Sequence, residues 1–293
     1  MHRFKRIGLV IDLGSHSIDA IQSASELAQK NNGCIFVIVA TQDPLNKDYQ
    51  SQIEEKLTAS IKVSHSIVFL TGVPIHRISA YVKANSIDII VTEPDHTTGL
   101  KRFFYGSLTM SMLRKTPCPI WIVKPDTLNN VYKKVLICVD PISDNEDKLR
   151  LNQKLIEVGT SFAKRSMAEC HLLTAWYYYG ESSINGPFIN MPEKEVKKLI
   201  TGYKTKIAHA FEKLQKLNTD ILKDSKTHLI HGQPQKIIPE FVVANNIDIV
   251  IMGTVARTGL QGFIIGNTAE SIINQLDCSL LAIKPDNFES PFD

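Results

Sequence analysis

From Ile249 to Glu270 the chain reads Ile-Val-Ile-Met252-Gly253-Thr-Val-Ala256-Arg257-Thr-Gly259-Leu-Gln-Gly262-Phe-Ile-Ile-Gly266-Asn267-Thr268-Ala-Glu270. The β-branched run ending at Met252 predicts a strand, and the residues after Gly266 predict a helix start. Four glycines therefore fall in the fourteen residues from 253 to 266, on the loop between the two. Glycine lets a backbone approach a ligand closely and take φ > 0 where a turn demands it. The first turn of a helix carries N–H groups without partners and the positive end of the helix dipole, which suits an anion such as phosphate. Asn267 and Thr268 add side-chain donors, and Arg257 adds a positive charge. The same N–H groups also suit simple capping by Asn267 or Thr268, with Glu270 in the first turn serving its own helix. Both readings stay open on these residues alone.

Other chemistry finds little support. The two candidate first strands run into Asp12-Leu-Gly-Ser15 and Asp140-Pro-Ile-Ser143, with no GxGxxG, and GxxxxGK[ST] is absent. No nucleophile elbow or Ser-His-Asp order stands out. A general base beside a γ-phosphate is missing, so turnover is expected far below the roughly 1–1000 per second of ordinary enzymes. The five cysteines (34, 118, 138, 170 and 278) are scattered singly, which predicts buried reduced thiols and neither zinc knuckle nor redox pair. His228 and His231 lie close together but lack a third ligand, so no metal is assigned. With 33 basic against 30 acidic residues the net charge is +3, and no basic cluster interleaved with aromatics argues for nucleic acid. The apolar run near the N-terminus ends at Asp12, short of a signal peptide or membrane span, so the expected location is cytoplasmic.

The elements that must hold the loop come from an internal repeat. Gly72–Asp126 overlays Gly232–Asp286 at a constant offset of 160 without a gap. Shared positions include Gly72/Gly232, Pro74/Pro234, Ile87-Asp88-Ile89/Ile247-Asp248-Ile249, Thr98-Gly99-Leu100/Thr258-Gly259-Leu260, Gly106/Gly266, Cys118/Cys278 and Lys124-Pro-Asp126/Lys284-Pro-Asp286. Ile7-Gly-Leu-Val-Ile-Asp12 likewise matches Val135-Leu-Ile-Cys-Val-Asp140, an offset of 128. Two domains follow, residues 1–127 and 132–293, joined by a polar linker near Thr127–Tyr132. Within the first half, apolar runs at 7–11, 34–40, 66–70, 87–91 and 120–123 alternate with helical patterns at 15–29, 52–63, 75–84 and 108–115. Five short strands alternating with helices, apolar on both faces, predict an α/β fold: two tandem doubly wound parallel-sheet domains. A ligand is then expected beyond the carboxyl ends of the strands at the switch point, near Asp140 and Gly253 in the second half.

The spacing at 253, 256, 266 and 267 resembles the G-x2-G-x9-G-[S/T] run of universal stress proteins, with Ala256 in place of the second glycine and Asn267 in place of Ser/Thr. Gly253-Thr-Val-Ala-Arg-Thr-Gly259, Gly266-Asn-Thr-Ala-Glu270 and Cys118-Pro-Ile-Trp-Ile-Val-Lys-Pro125 look most like the tandem E-type members, and the likeness spans nearly the whole chain. It implies a nucleotide-sensing regulatory or adaptor protein read by a protein partner, binding ATP or a related adenine nucleotide with Mg²⁺ in the second half. The contacts it implies come from Asp140, from the second strand near Ala175, and from Met252-Gly253, with Ala256, Arg257, Gly266, Asn267 and Thr268 on the loop. Carriage of an apolar or lipid-like ligand, and slow ATP hydrolysis, are the competing readings.

The first half departs further from that pattern. Glu93 and His96 stand where the two loop glycines would be, although Gly106-Ser107 keeps the helix-opening pair. A desolvated carboxylate beside a triphosphate repels it by several kcal/mol, so no nucleotide is expected there. Glu93, Asp95 and His96 read as a solvated polar loop, with metal binding the alternative. Trp176-Tyr-Tyr-Tyr179, followed by an irregular stretch to Pro192, reads equally as a ligand mouth or as strand-end packing. Single-domain relatives pair through their last strand. The apolar runs Ile120–Val123 and Leu280–Ile283 hold that place here, which predicts an intramolecular pseudo-dimer, as a monomer or a dimer of tandems.

Overall fold

The computed structural model describes residues 4–11, 13, 18–94, 107–125, 131–142, 145–178, 192–254, 265–286 and 288. Each apolar run becomes a strand. The first half consists of β1 (Arg6–Ile11), α1 (Ile18–Asn31), β2 (Cys34–Thr41), α2 (Lys47–Ser60), β3 (His65–Thr71), α3 (Pro74–Ala84), β4 (Ile89–Thr92), α4 (Ser107–Lys115) and β5 (Ile120–Ile122). The second consists of β6 (Lys134–Cys138), α5 (Glu146–Ser166), β7 (Glu169–Trp176), α6 (Glu193–Leu217), α7 (Thr219–Leu222), β8 (Ser225–His231), α8 (Pro234–Asn245), β9 (Ile249–Gly253), α9 (Asn267–Ile273) and β10 (Ser279–Ile283). The main departure from the sequence pattern is α2, which starts five residues before the expected 52. Asn46 Oδ1 accepts the Tyr49 N–H at 2.8 Å there and caps a polar first turn that carries little apolar signal.

Two repeated features now have causes. Gly72 and Gly232 sit at φ +116° and +143°, a region side chains disfavour, and each turns an edge strand into a helix that opens on Pro74 or Pro234. Asp88 Oδ2 accepts the backbone N–H groups of Lys5 and Arg6 at 2.8 Å, and Asp248 Oδ2 accepts those of Lys133 and Lys134 at 2.7 Å. The repeated Ile-Asp-Ile thus ties the loop before the fourth strand of each half to the start of its first strand.

One ten-stranded sheet runs through both halves in the order β3-β2-β1-β4-β5-β10-β9-β6-β7-β8. All pairings are parallel except the central one, where β5 and β10 run antiparallel in the register Ile122↔Leu280, Trp121↔Leu281 and Ile120↔Ala282. The halves therefore form the expected intramolecular pseudo-dimer through their last strands. The central strands are buried on both faces, whereas the edge strands β3 and β8 expose polar residues. Each face carries one continuous apolar layer across both halves. One joins α1, α2, α5, α6 and α7 residues such as Ala24, Leu57, Ile156, Phe211 and Leu222; the other joins α3, α4, α8 and α9 residues such as Ile78, Leu113, Val242 and Ile273.

Polar contacts reinforce the seam. Lys124 Nζ donates to the Asp277 carbonyl at 2.9 Å, and the repeat-equivalent Lys284 donates to the Thr116 carbonyl. Lys284 is fully buried beneath the Phe288 ring, and that burial draws its ammonium down to about 7. All five cysteines are free thiols; Cys34 is half-buried and the other four are buried. Burial pushes Cys118 and Cys278 up to about 12. Among the described residues, no helix is long and apolar enough to cross a membrane.

Candidate functional site

In the second half the switch point falls between β6 and β9, and a cavity of about 450 Å³ lies beyond their carboxyl ends. Of the residues singled out on sequence, Asp140, Ala175, Met252, Gly253, Gly266, Asn267 and Thr268 all border it. Ala256 and Arg257 lie outside the described residues, as do Asp12, Asp95 and His96.

Asp140 follows β6. Its N–H donates to Asn152 Oδ1 at 3.2 Å and its carbonyl accepts from Asn152 Nδ2 at 2.6 Å. Asn152 is buried on α5, so this two-way clamp holds the strand end rigidly under the first turns of that helix. The Asp140 carboxylate is left exposed, accepting the Ile142 N–H at 3.3 Å, with Lys148 Nζ at 3.9 Å. Lys148 also borders the cavity. A cation so close to the opening is a natural phosphate contact. Sequence reading missed both Asn152 and Lys148: helical spacing shows that α5 exists but not which of its polar residues turns toward the strand ends.

β9 brings Met252 and Gly253 to the cavity floor. A Cβ at Gly253 would meet Leu151 Cδ2 at 2.9 Å, so a side chain there must displace Leu151 or enter the cavity. Gly266 donates its N–H to the Thr254 carbonyl at 3.1 Å and caps α9 at an ordinary φ of −65°, with no side-chain capping bond. The capping role weighed for Asn267 and Thr268 is thus not the one observed, since both stand inside the helix. Glu270 stands in the first turn of α9, as expected, and also reaches beyond it. Its carboxylate pairs with Arg114 at the end of α4, across the seam. Repeat spacing hides that contact, because the positions equivalent to Arg114 and Glu270 are Asn274 and Met110.

The apolar wall comes from Ala175, Trp176 and Tyr177 at the end of β7 together with Tyr203 and Ile207 of α6. Trp176 is buried, its ring 4.4 Å from that of His231 and 6.1 Å from that of Tyr203. The strand-end aromatics serve as both core and cavity wall. Tyr179 and the stretch up to residue 191 lie outside the described residues. His228 instead stacks on His171, with His171 Nδ1 and His228 Nε2 3.1 Å apart. Three residues apart on one strand, His228 and His231 face opposite sides of the sheet.

The first half is built differently at the matching place. Glu93 is buried, and its Oε1 accepts the Ala20 N–H of α1 at 3.1 Å. The carboxylate sits at a helix start, where an anion is favoured. The solvated-loop expectation is therefore corrected at this residue: Glu93 is an internal capping group. Ser23 stands at the position equivalent to Leu151, so the half with a long side chain at 93 carries the small neighbour. Glu93→Ala is expected to cost about 1–3 kcal/mol by leaving a buried N–H unpaired, read as a lowered melting temperature, while Glu93→Gln, which keeps an acceptor, costs less. Equal stability of the wild type and Glu93→Ala would remove the capping role.

Fold and site together define a tandem doubly wound α/β protein with a cavity over the switch point of its second half. The Universal stress protein family model matches the chain twice, at residues 3–124 and 131–284, and the chain belongs to that family. It is 25% identical to the Universal stress protein E of Photorhabdus laumondii over 99% of this chain and 98% of that one. It is 31% identical to a Universal stress protein E homolog of Haemophilus influenzae over 71% of this chain and 65% of that relative's length. Among solved structures, a protein of unknown function from Pseudomonas aeruginosa superposes with a TM-score of 0.78 at 21% identity, over 97% of this chain and 94% of that one. A universal stress protein of Archaeoglobus fulgidus superposes at 0.63 and 17%, over 97% and 99%. At these identities the structural likeness speaks to fold.

Proposed function

We propose that the second half binds ATP or a related adenine nucleotide with Mg²⁺, and that the tandem chain acts as a nucleotide-sensing adaptor in a stress response. The observation carrying this reading is the convergence of Asp140, Ala175, Met252-Gly253 and Gly266–Thr268 on one cavity. Its volume of about 450 Å³ lies within the usual range for small-molecule sites. The aromatic wall formed by Trp176, Tyr177 and Tyr203 suits a planar base, and Lys148 with the Gly266–Thr268 backbone suits phosphates at the opposite side. The first half has Glu93 where an incoming phosphate would have to go, so one ligand per chain is the supported stoichiometry.

Hydrogen exchange tests the asymmetry. With Mg-ATP, amides from 253 to 268 are expected to gain protection, while those from 93 to 107 exchange as before. Equal protection of both segments, or none at millimolar ATP, overturns the reading.

A further inference from the structure

The two halves differ at one buried place on the sheet. In the second half the rings of His171 on β7 and His228 on β8 stack, with centroids 5.2 Å apart and 12° between their planes. His171 is 3% exposed, and its Nδ1 lies 3.1 Å from His228 Nε2. Phe241 of α8 meets both rings at a steep angle, 5.8 Å from His171 and 4.8 Å from His228. The strand registers give the matching positions in the first half. His171 pairs with Lys226 as Phe36 pairs with Ser66, and Leu173 pairs with His228 as Ile38 pairs with Val68. Phe36 and Val68 pack there against the apolar layer, together with Tyr81, the repeat equivalent of Phe241. An apolar pair therefore satisfies this fold, and the two imidazoles are peculiar to the second half.

Charged groups reach the pair from each neighbouring strand. His171 Nε2 lies 2.7 Å from Glu169 Oε1 of β7, and Lys226 Nζ of β8 donates to the same oxygen at 2.6 Å. β6 adds Lys134, whose Nζ donates to the Asn245 carbonyl at 2.8 Å. α8 meets the rings with the uncharged Phe241. Burial holds both imidazoles below the usual histidine range. Lys226 acts in the same direction on both, Lys134 on His171 and His171 on His228, while Glu169 opposes them. The carboxylate beside Nε2 favours the His171 hydrogen there, which leaves Nδ1 as acceptor and the His228 Nε2–H as donor. One added proton, on His228 Nδ1, keeps that bond. A second, on His171 Nδ1, sets two N–H groups against each other at 3.1 Å, so the rings must part.

We infer that the His171–His228 pair is an acid-sensitive latch: in neutral solution it clamps the middle of β8 to β7, and proton uptake by the pair releases β8 from the sheet. The position of the strand suits this. β8 ends the sheet and is paired on one side only, to β7. His231, at the end of the same strand, holds its ring 4.4 Å from that of Trp176, so the release is reported at Trp176. β3, the edge of the first half, has Val68 at the latch position and does not respond. The sign follows from burial. A histidine whose folded form resists the proton binds it more readily in the unfolded chain, so the stabilisation is complete above about pH 6.5 and is lost as the pH falls below it. The latch does not depend on nucleotide binding in the second half.

Grafting the first half's residues tests the assignment: His171→Phe with His228→Val removes both imidazoles and installs a pair this fold already uses. Between about pH 7.5 and about pH 5, the wild-type melting midpoint is expected to fall by about 5 °C or more beyond the fall in the double variant, because every other histidine titrates in both. Two measurements on the wild type need no variant. Amide exchange at about pH 5, corrected for the intrinsic effect of pH, should speed up in Ser225–His231 and not in His65–Thr71. In ¹⁵N spectra of the side chains, the His171 and His228 rings should take up protons only below the ordinary histidine position of about 6.5, and the Trp176 indole signal should move with them while that of Trp121 stays in place. Equal pH dependence of the two melting midpoints would overturn the latch. So would ordinary titration of the two rings, or amides of β8 as protected in acid as at neutral pH.

Discussion

Gly253→Glu is expected to lower the affinity of the second half for Mg-ATP by at least about 100-fold, measured by isothermal titration calorimetry. The first half shows what a glutamate does at this position: Glu93 folds inward and bonds to the Ala20 N–H. In the second half Leu151 lies 2.9 Å from where a Cβ at 253 would begin, and the smaller Ser23 is not there to give way. The new side chain must displace Leu151 or enter the cavity, and either way its carboxylate is brought among the residues proposed to meet phosphate. Two like charges about 4 Å apart repel by about 4 kcal/mol at an effective dielectric of 20, which exceeds a hundredfold. Gly253→Gln separates charge from bulk, since it fills the same space without charge and should lose less. Wild-type affinity in Gly253→Glu would remove the phosphate from this cavity.

The second large effect concerns the seam. Leu281→Pro should lower stability by about 4 kcal/mol or more and melt both halves together, in one transition followed by circular dichroism and by tryptophan fluorescence. β10 is bonded on both sides, to β9 and to β5, so a proline at its centre removes a donor from an interior strand. Leu281 is also 2% exposed, and truncating a buried leucine costs roughly 2–5 kcal/mol by itself. Because the apolar layers on both faces run across the seam, the damage reaches both halves. A first half that melts at its wild-type temperature while the second unfolds would show the sheet to be two independent units.

Much of this architecture was legible in the sequence, for a physical reason. Parallel strands buried on both faces need continuous apolar runs, and the gapless repeat of Gly72–Asp126 in Gly232–Asp286 doubles the signal. The last-strand pairing was implied by the family resemblance, and two short apolar runs that would otherwise be open edges stand in the matching place. Asp140 and Gly253 were expected near one another because a doubly wound sheet gathers its strand ends at one switch point, while Ala175 and Met252 were implied by the family resemblance; all four border one cavity with residues 266–268. What stayed hidden depends on which way a side chain turns. Glu93 reads as a loop residue until its carboxylate is seen on α1, Asn152 reads as one polar residue among many on α5, and Arg114 and Glu270 stand 156 residues apart.

The antiparallel β5–β10 seam has a further consequence for how this molecule could change over time. In a symmetric homodimer every amino-acid replacement is made twice, once in each protomer, so a replacement that closes one pocket closes both. Joining the halves in one chain removes that coupling. Glu93 bonds inward to α1 in one half while Gly253 borders a cavity in the other, and Arg114 and Glu270 link the two halves through a pairing whose mirror image, Asn274 with Met110, carries no charge. Division of labour between two initially equal halves is thus available here at the level of single residues, on a scaffold whose central strands still hold both halves together.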